Sequence, residues 1–145
     1  YKIKMQNIIL ASDHAGFNLK KEIKSFLLKK KKKVLDLGTN SPESVDYPDF
    51  AHRLSYKIKK NGKYVGILIC ASGIGMGIAA NRHKNIRAAL CYNIKSAKLS
   101  REHNNANVMT IGAKFTKKKL ALKCVDVFIK TNFKGGRHLK RVKKI

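Results

Sequence analysis

The chain has 145 residues, 43% of them apolar, which suits one domain with a real core and is too apolar for a disordered segment. Its 33 lysines and arginines against 8 acids give a net charge of +25, read here as solvated lysine-rich surface and a field that steers anionic metabolites. No apolar run is as long as a membrane span, and Ile8-Ile9-Leu10-Ala11 is too short for a secretory signal core.

The three cysteines, Cys70, Cys91 and Cys124, have neither paired nor metal-type spacing, so a reducing, cytoplasmic setting is expected. Residues 1–145 read as a single domain. Met5 is the expected native start, with Tyr1 to Lys4 an upstream remnant, and 134–145 form a basic C-terminal tail.

Strand-period and helix-period segments alternate along the chain. Asn7 to Ala11 predicts a first strand. Phe17 to Lys30 predicts a helix, with Leu19, Ile23, Phe26 and Leu27 on one face. Val34 to Leu37 is a second strand, ended by Gly38. Thr39 to Pro48 is a polar loop holding both prolines. Phe50, Ala51, Leu54 and Ile58 mark a second helix, closed by Asn61-Gly62. Val65 to Cys70 is a third strand, followed by a glycine-spaced loop and a helix beginning at Ile78. Ile86 to Leu90 is a fourth strand, Ile94 to Glu102 a helix, and Asn107 to Ile111 a fifth strand stopped by Gly112. Ala121, Cys124, Val125 and Phe128 mark a last long helix, and Gly135-Gly136 is a hinge into the tail.

Strict alternation of strand and helix predicts an α/β fold: a five-stranded parallel sheet between two helical layers, a three-layer Rossmann-like domain. Ligands in such folds bind beyond the carboxyl ends of the strands. Asp13-His14 follows the first strand and Cys70-Ala71-Ser72 the third. If both serve one site those strands are neighbours, which favours the order 2-1-3-4-5.

The stretch Cys70-Ala71-Ser72-Gly73-Ile74-Gly75-Met76-Gly77 carries the clearest chemistry. A buried strand runs into a glycine loop at a helix start, where backbone N–H groups and the helix dipole converge on one point suited to an anion. A thiol beside a helix N-terminus is favoured as thiolate. The loop is not a dinucleotide site: its glycines are spaced GxGxG, it follows the third strand, and no acid lies between Gly77 and Glu102 to hold a ribose. No Gly-Lys-Ser/Thr P-loop occurs. His14, His52, His83, His103 and His138 form no HxH or HExxH pattern, so no metal is expected. Arg137 and Arg141, four apart, would share a helix face and fork a phosphate. The lysine runs have no interleaved aromatics, so a nucleic-acid partner is not expected. A basic nucleic-acid-binding module is the non-enzyme alternative.

Taken together, Ser12-Asp13-His14-Ala15-Gly16-Phe17, Asp46-Tyr47-Pro48, Cys70 to Gly75, Ala79-Ala80-Asn81-Arg82, Ile86-Arg87-Ala88, Leu99 to Asn104, Asn107-Val108 and Gly135-Gly136-Arg137-His138 resemble ribose-5-phosphate isomerase type B. That family also holds galactose-6-phosphate isomerase subunits. The resemblance implies an enzyme of the pentose phosphate pathway that interconverts ribose 5-phosphate and ribulose 5-phosphate through an enediolate, without metal or other cofactor. It implies Cys70 as general base, and Ser72 with the amides of Gly73, Ile74, Gly75, Met76 and Gly77 as the hole for the enediolate oxygen. His103 and Asp13 would help open the furanose ring. His14, Arg137 and Arg141 would contact phosphate, and Tyr47 and Asn104 would line the substrate. One branch of the family carries a glutamate base where Met76 stands, so this chain fits the cysteine branch. The resemblance further implies a homodimer or homotetramer whose site is shared, with His103, Asn104 and at least one arginine crossing the interface. An isomerase of a hexose 6-phosphate, of the allose or galactose type, is the alternative within the family.

Overall fold

A computed structural model describes residues 7–60 and 63–145. The expected start at Met5, the remnant before it and the helix end at Asn61-Gly62 lie outside those residues. The strands are β1 (Asn7–Ser12), β2 (Val34–Asp36), β3 (Tyr64–Cys70), β4 (Ala88–Leu90) and β5 (Val108–Gly112). The helices are α1 (Phe17–Lys29), α2 (Tyr47–Lys60), α3 (Ile74–Asn81), α4 (Ile94–Asn104), α5 (Lys118–Lys130) and α6 (Arg137–Val142).

All five strands lie parallel in one sheet. The order is β2-β1-β3-β5-β4, not the expected 2-1-3-4-5. Burial explains the exchange. β5 (Val108-Met109-Thr110-Ile111-Gly112) is buried at every residue and takes the interior place beside β3. β4 has three half-buried residues, Ala88-Ala89-Leu90, and suits the edge. The expected adjacency of the first and third strands holds: Ile8 pairs with Val65 and Leu10 with Ile67.

The swap also decides which layer α4 joins. A right-handed crossover changes face when the chain reverses its direction across the sheet. Steps from β2 to β3 and β3 to β4 run one way, and α2 and α3 cover one face together. Steps from β1 to β2 and β4 to β5 run the other way, so α1 and α4 lie on the opposite face with α5. Strand side chains alternate between the layers, as the two-residue period requires. Ile8, Leu10, Ile67, Ile69, Met109 and Ile111 meet Ile23, Leu27, Cys124 and Phe128 on the α1/α5 side. Ile9, Ala11, Leu68 and Cys70 meet Phe50, Leu54, Met76 and Ala80 on the α2/α3 side.

Two readings of the elements are corrected. α3 starts at Ile74, with Gly73 as its cap at φ 79°, so the glycines at 75 and 77 lie inside the helix rather than before it. The segment read as a basic tail after a glycine hinge contains a helix, α6 (Arg137–Val142).

Candidate active site

At the carboxyl ends of β1 and β3 the two predicted segments meet. The Asp13 N–H donates to the Ile69 carbonyl at 3.2 Å, and Asp13 Oδ1 accepts from the Gly16 N–H at 3.0 Å. Asp13 is thereby fixed and almost fully buried at the start of α1. A Cβ on Gly16 would stand 2.5 Å from the Ile69 oxygen, so the turn needs glycine to lie this close to β3. The exposed His14 accepts at Nδ1 from the Val45 N–H, 3.2 Å away, tying β1's end to the loop before α2.

The support behind this turn is charged. Lys20, 1% exposed, reaches Asp36 Oδ1 at 2.6 Å, and the same oxygen accepts from the Gly38 N–H. Burial raises the Asp36 carboxyl, but the bonds from Lys20, Gly38 and Lys24 prevail and hold it below its ordinary value. Gly38 and Thr39 in turn pair with the Ser12 backbone.

Cys70 ends β3 on the α2/α3 side and is 4% exposed. Its Sγ accepts from the Gly73 N–H at 3.1 Å. Ser72 Oγ accepts from the Ile74 N–H at 3.2 Å. The Gly77 N–H is spent inside the helix on the Gly73 carbonyl. Among the described residues this leaves the N–H groups of Gly75 and Met76 as the unpartnered first-turn donors, narrower than the expected run from Gly73 to Gly77. Tyr47, at the start of α2, lies over this turn: a Cβ on Gly75 would stand 2.6 Å from its ring. Asp13, His14, Tyr47, Cys70, Ser72 and the Gly75–Met76 amides therefore gather at one edge of the sheet. Lys114, which sequence reading passed over, joins them, since its N–H donates to the Ala71 carbonyl.

The remaining candidates form a second group. His103 and Asn104 end α4, four residues before β5 begins, and so stand at the opposite edge. Along β5 that separates them from Cys70 by about 13 Å or more. His103 stacks on His138 of α6, centroids 4.2 Å apart and planes within 11°. His103, Asn104, His138 and Arg141 line a hollow of about 410 Å³. Arg137 stands one turn before Arg141 on the same helix. Desolvation, then the charges of His103, Arg137, Arg141 and Lys134, lower the His138 imidazole below its ordinary value. His138 was visible in the sequence only as part of a motif; no spacing pairs it with His103.

Cys91 and Cys124 lie away from this turn, in the core on the α1/α5 side of the sheet. Burial pushes the Cys91 thiol up to about 11 and raises Cys124 as well, so both are inert core residues. Among the described residues no three His, Cys, Asp or Glu side chains gather to hold a metal ion, and no helix is long and apolar enough to cross a membrane.

A family model of the ribose/galactose isomerases matches residues 8–145. The chain belongs to the ribose/galactose isomerase family. Within this isomerase family, a putative sugar phosphate isomerase of Rickettsia conorii is 47% identical over 143 residues, 99% of this chain and 99% of that protein. The structure of ribose-5-phosphate isomerase B from Clostridium thermocellum matches with a TM-score of 0.94 at 47% identity, covering 96% of this chain and 94% of that one. The structure of ribose-5-phosphate isomerase B from Mycoplasma genitalium with bound ribulose-5-phosphate matches with a TM-score of 0.93 at 47% identity, covering 95% and 92%.

Proposed function

We propose that this isomerase interconverts ribose 5-phosphate and ribulose 5-phosphate, with Cys70 as the base. The observation that carries the reading is the relative from Mycoplasma genitalium, alike in fold over nearly the whole chain and solved with ribulose-5-phosphate bound.

The C2 proton of an open-chain aldose is weakly acidic, so its removal needs a base and fixed donors for the enediolate oxygen. The Cys70 thiolate takes the proton from C2 and returns it to C1. The Gly73 N–H that points at Sγ suits a sulfur bearing negative charge. Ser72 and the amides of Gly75 and Met76 receive the charge that develops on oxygen. Asp13 and His103 move the protons that open the furanose ring. His14, Arg137 and Arg141 hold the phosphate, and Tyr47 and Asn104 line the sugar. Phosphate binding away from the reacting carbons supplies energy that orients them.

One chain does not bring these groups together, and a second copy completes the site. His103, Asn104, Arg137 and Arg141 of one subunit face Cys70 of its partner. Supporting this, α3 is apolar all round yet leaves Ile74 54% and Ile78 65% exposed, one turn apart, beside the Cys70 loop. A homo-oligomer covers that stripe.

The deciding experiment is ribulose formation from ribose 5-phosphate by the wild type and by Cys70→Ala. Turnover that falls about 100-fold or more in the folded variant supports reaction and base together. Turnover that survives the substitution removes Cys70 as base. Turnover of a hexose 6-phosphate in place of ribose 5-phosphate overturns the substrate.

A further inference from the structure

The second half of the site depends on how α6 is held against α4, and α6 itself does little to fix this. It is six residues long and buries none of them. The turn before it, Gly135 at φ 64° and Gly136 at φ 54°, has nothing within 4 Å of where a Cβ would stand. Neither packing nor sterics at the hinge sets the angle of the helix. Electrostatics oppose it too: residues 131–145 contain six lysines and arginines and no acid.

What does hold the segment is the last turn of α4, through three consecutive residues. Arg101, 7% exposed and lying over the Phe128 ring, donates from Nε to the Thr131 carbonyl at 3.1 Å. Glu102 takes Lys134 twice: the Lys134 N–H donates to the Glu102 carbonyl at 3.1 Å, and Lys134 Nζ pairs with Glu102 Oε2 at 3.1 Å. His103 stacks on His138. Lys98 Nζ stands farther off, 3.9 Å from the other oxygen, and the Lys134 hydrogen bond is the main cause holding the Glu102 carboxyl below its ordinary value.

We infer that Glu102 is a positioning residue: by holding Lys134 just ahead of the glycine hinge, it registers α6 on α4 so that His138, Arg137 and Arg141 stand ready around His103. Glu102 touches no substrate. Among the described residues its carboxylate is the one paired with this cationic segment, gathering it before a phosphate arrives, so less ordering is left for binding. This rests on the isomerase reading above.

The test combines steady-state kinetics with hydrogen exchange on the full-length protein. Glu102→Ala and Lys134→Ala are each expected to raise KM for ribose 5-phosphate about two- to fivefold with kcat nearly unchanged. The double variant should be no worse than either single one, and the exchanged pair Glu102→Lys with Lys134→Glu should recover part of the loss. Amide exchange should quicken over residues 131–145 and not in the sheet. Glu102→Gln, which keeps the shape and loses the charge, serves if the alanine variant fails to fold. Unchanged KM with unchanged exchange overturns the inference, as does a loss confined to kcat. If the wild type does not turn over ribose 5-phosphate, the isomerase reading fails. Exchange then decides alone: quickened exchange over 131–145 retains the clamp, and unchanged exchange removes it.

Discussion

Cys70 ends β3 at the carboxyl edge of the sheet, whereas His103 ends α4 at the amino edge. Four residues of coil and turn, or fewer, separate each from its neighbouring element, so neither side chain reaches the other within one chain. A shared site makes a sharp prediction. Cys70→Ala and His103→Ala subunits, each inactive alone, should regain activity when unfolded together and refolded as a mixture. In a mixed dimer one site carries both substitutions and the other carries none. Random pairing then restores about a quarter of wild-type activity. The measurement is ribulose formation in the mixture against each parent. No recovery, with mixed dimers shown by mass, would overturn the shared site.

Arg137 and Arg141 share a face of α6, next to the His103–His138 stack. Losing one charged hydrogen bond to a phosphate costs on the order of tenfold or more in binding. Arg137→Ala should therefore raise KM for ribose 5-phosphate by about that factor, while leaving turnover of unphosphorylated ribose, however slow, as it was. An equal loss on both sugars would mean that Arg137 acts on something other than phosphate.

Much of this arrangement could be read from residue patterns, and the failures have physical causes. The continuous apolar run Ile8-Ile9-Leu10-Ala11 marked β1, which is buried on both faces, and the Leu19, Ile23, Leu27 stripe marked α1, which buries one regular face. The pairing of β1 with β3 followed from two polar turns that needed a common site. The order of β4 and β5 did not, since both strands are apolar, and only length and burial in the folded sheet send β4 to the edge. The start of α3 was placed too late because glycine suggests loop. Here Gly75 is required by the Tyr47 ring, a contact between residues 28 positions apart that no local pattern reveals. The histidine stack and the Glu102–Lys134 clamp are likewise products of tertiary approach.

The glycines of this region separate into those the fold requires and those it does not. A Cβ on Gly112 would lie 2.5 Å from the Ser72 carbonyl oxygen and 2.6 Å from its carbon, both backbone atoms with nowhere to move. Gly112→Ala should cost about 1–3 kcal/mol or more and distort the Ser72 turn, so activity falls with stability. At Gly77 the nearest atom is Thr110 Oγ1 at 3.6 Å, an ordinary contact, and the residue sits inside α3. Gly77→Ala should stabilise the protein by about 0.5–1 kcal/mol and leave turnover intact, since its N–H already serves the helix. Denaturant midpoints and ribulose formation for the two variants check this. A destabilised Gly77→Ala would show that α3 needs the glycine for packing not visible in one chain.

Away from the site, His52 Nδ1 and His83 Nε2 stand 2.6 Å apart, joining α2 to the segment after α3, with the Tyr56 ring edge-on to His83. Two imidazoles this close share at most one proton. Desolvation, then the charges of His52 and Lys59, lower the His83 imidazole from its ordinary 6.5. A histidine depressed in the folded state takes up a proton on unfolding at pH values between its folded and unfolded constants. Its contribution to stability is therefore full above about 6.5 and is lost as the pH falls through the folded value. Wild-type stability should fall on going from about pH 7.5 to about pH 5.5, and His83→Asn, which cannot titrate, should fall less over the same interval. Urea midpoints at the two pH values measure both slopes. His138 is depressed as well and contributes equally to both proteins, so the difference between the slopes reports the His52–His83 pair. Identical slopes would mean that the pair holds α2 and α3 together no more tightly when neutral than when charged.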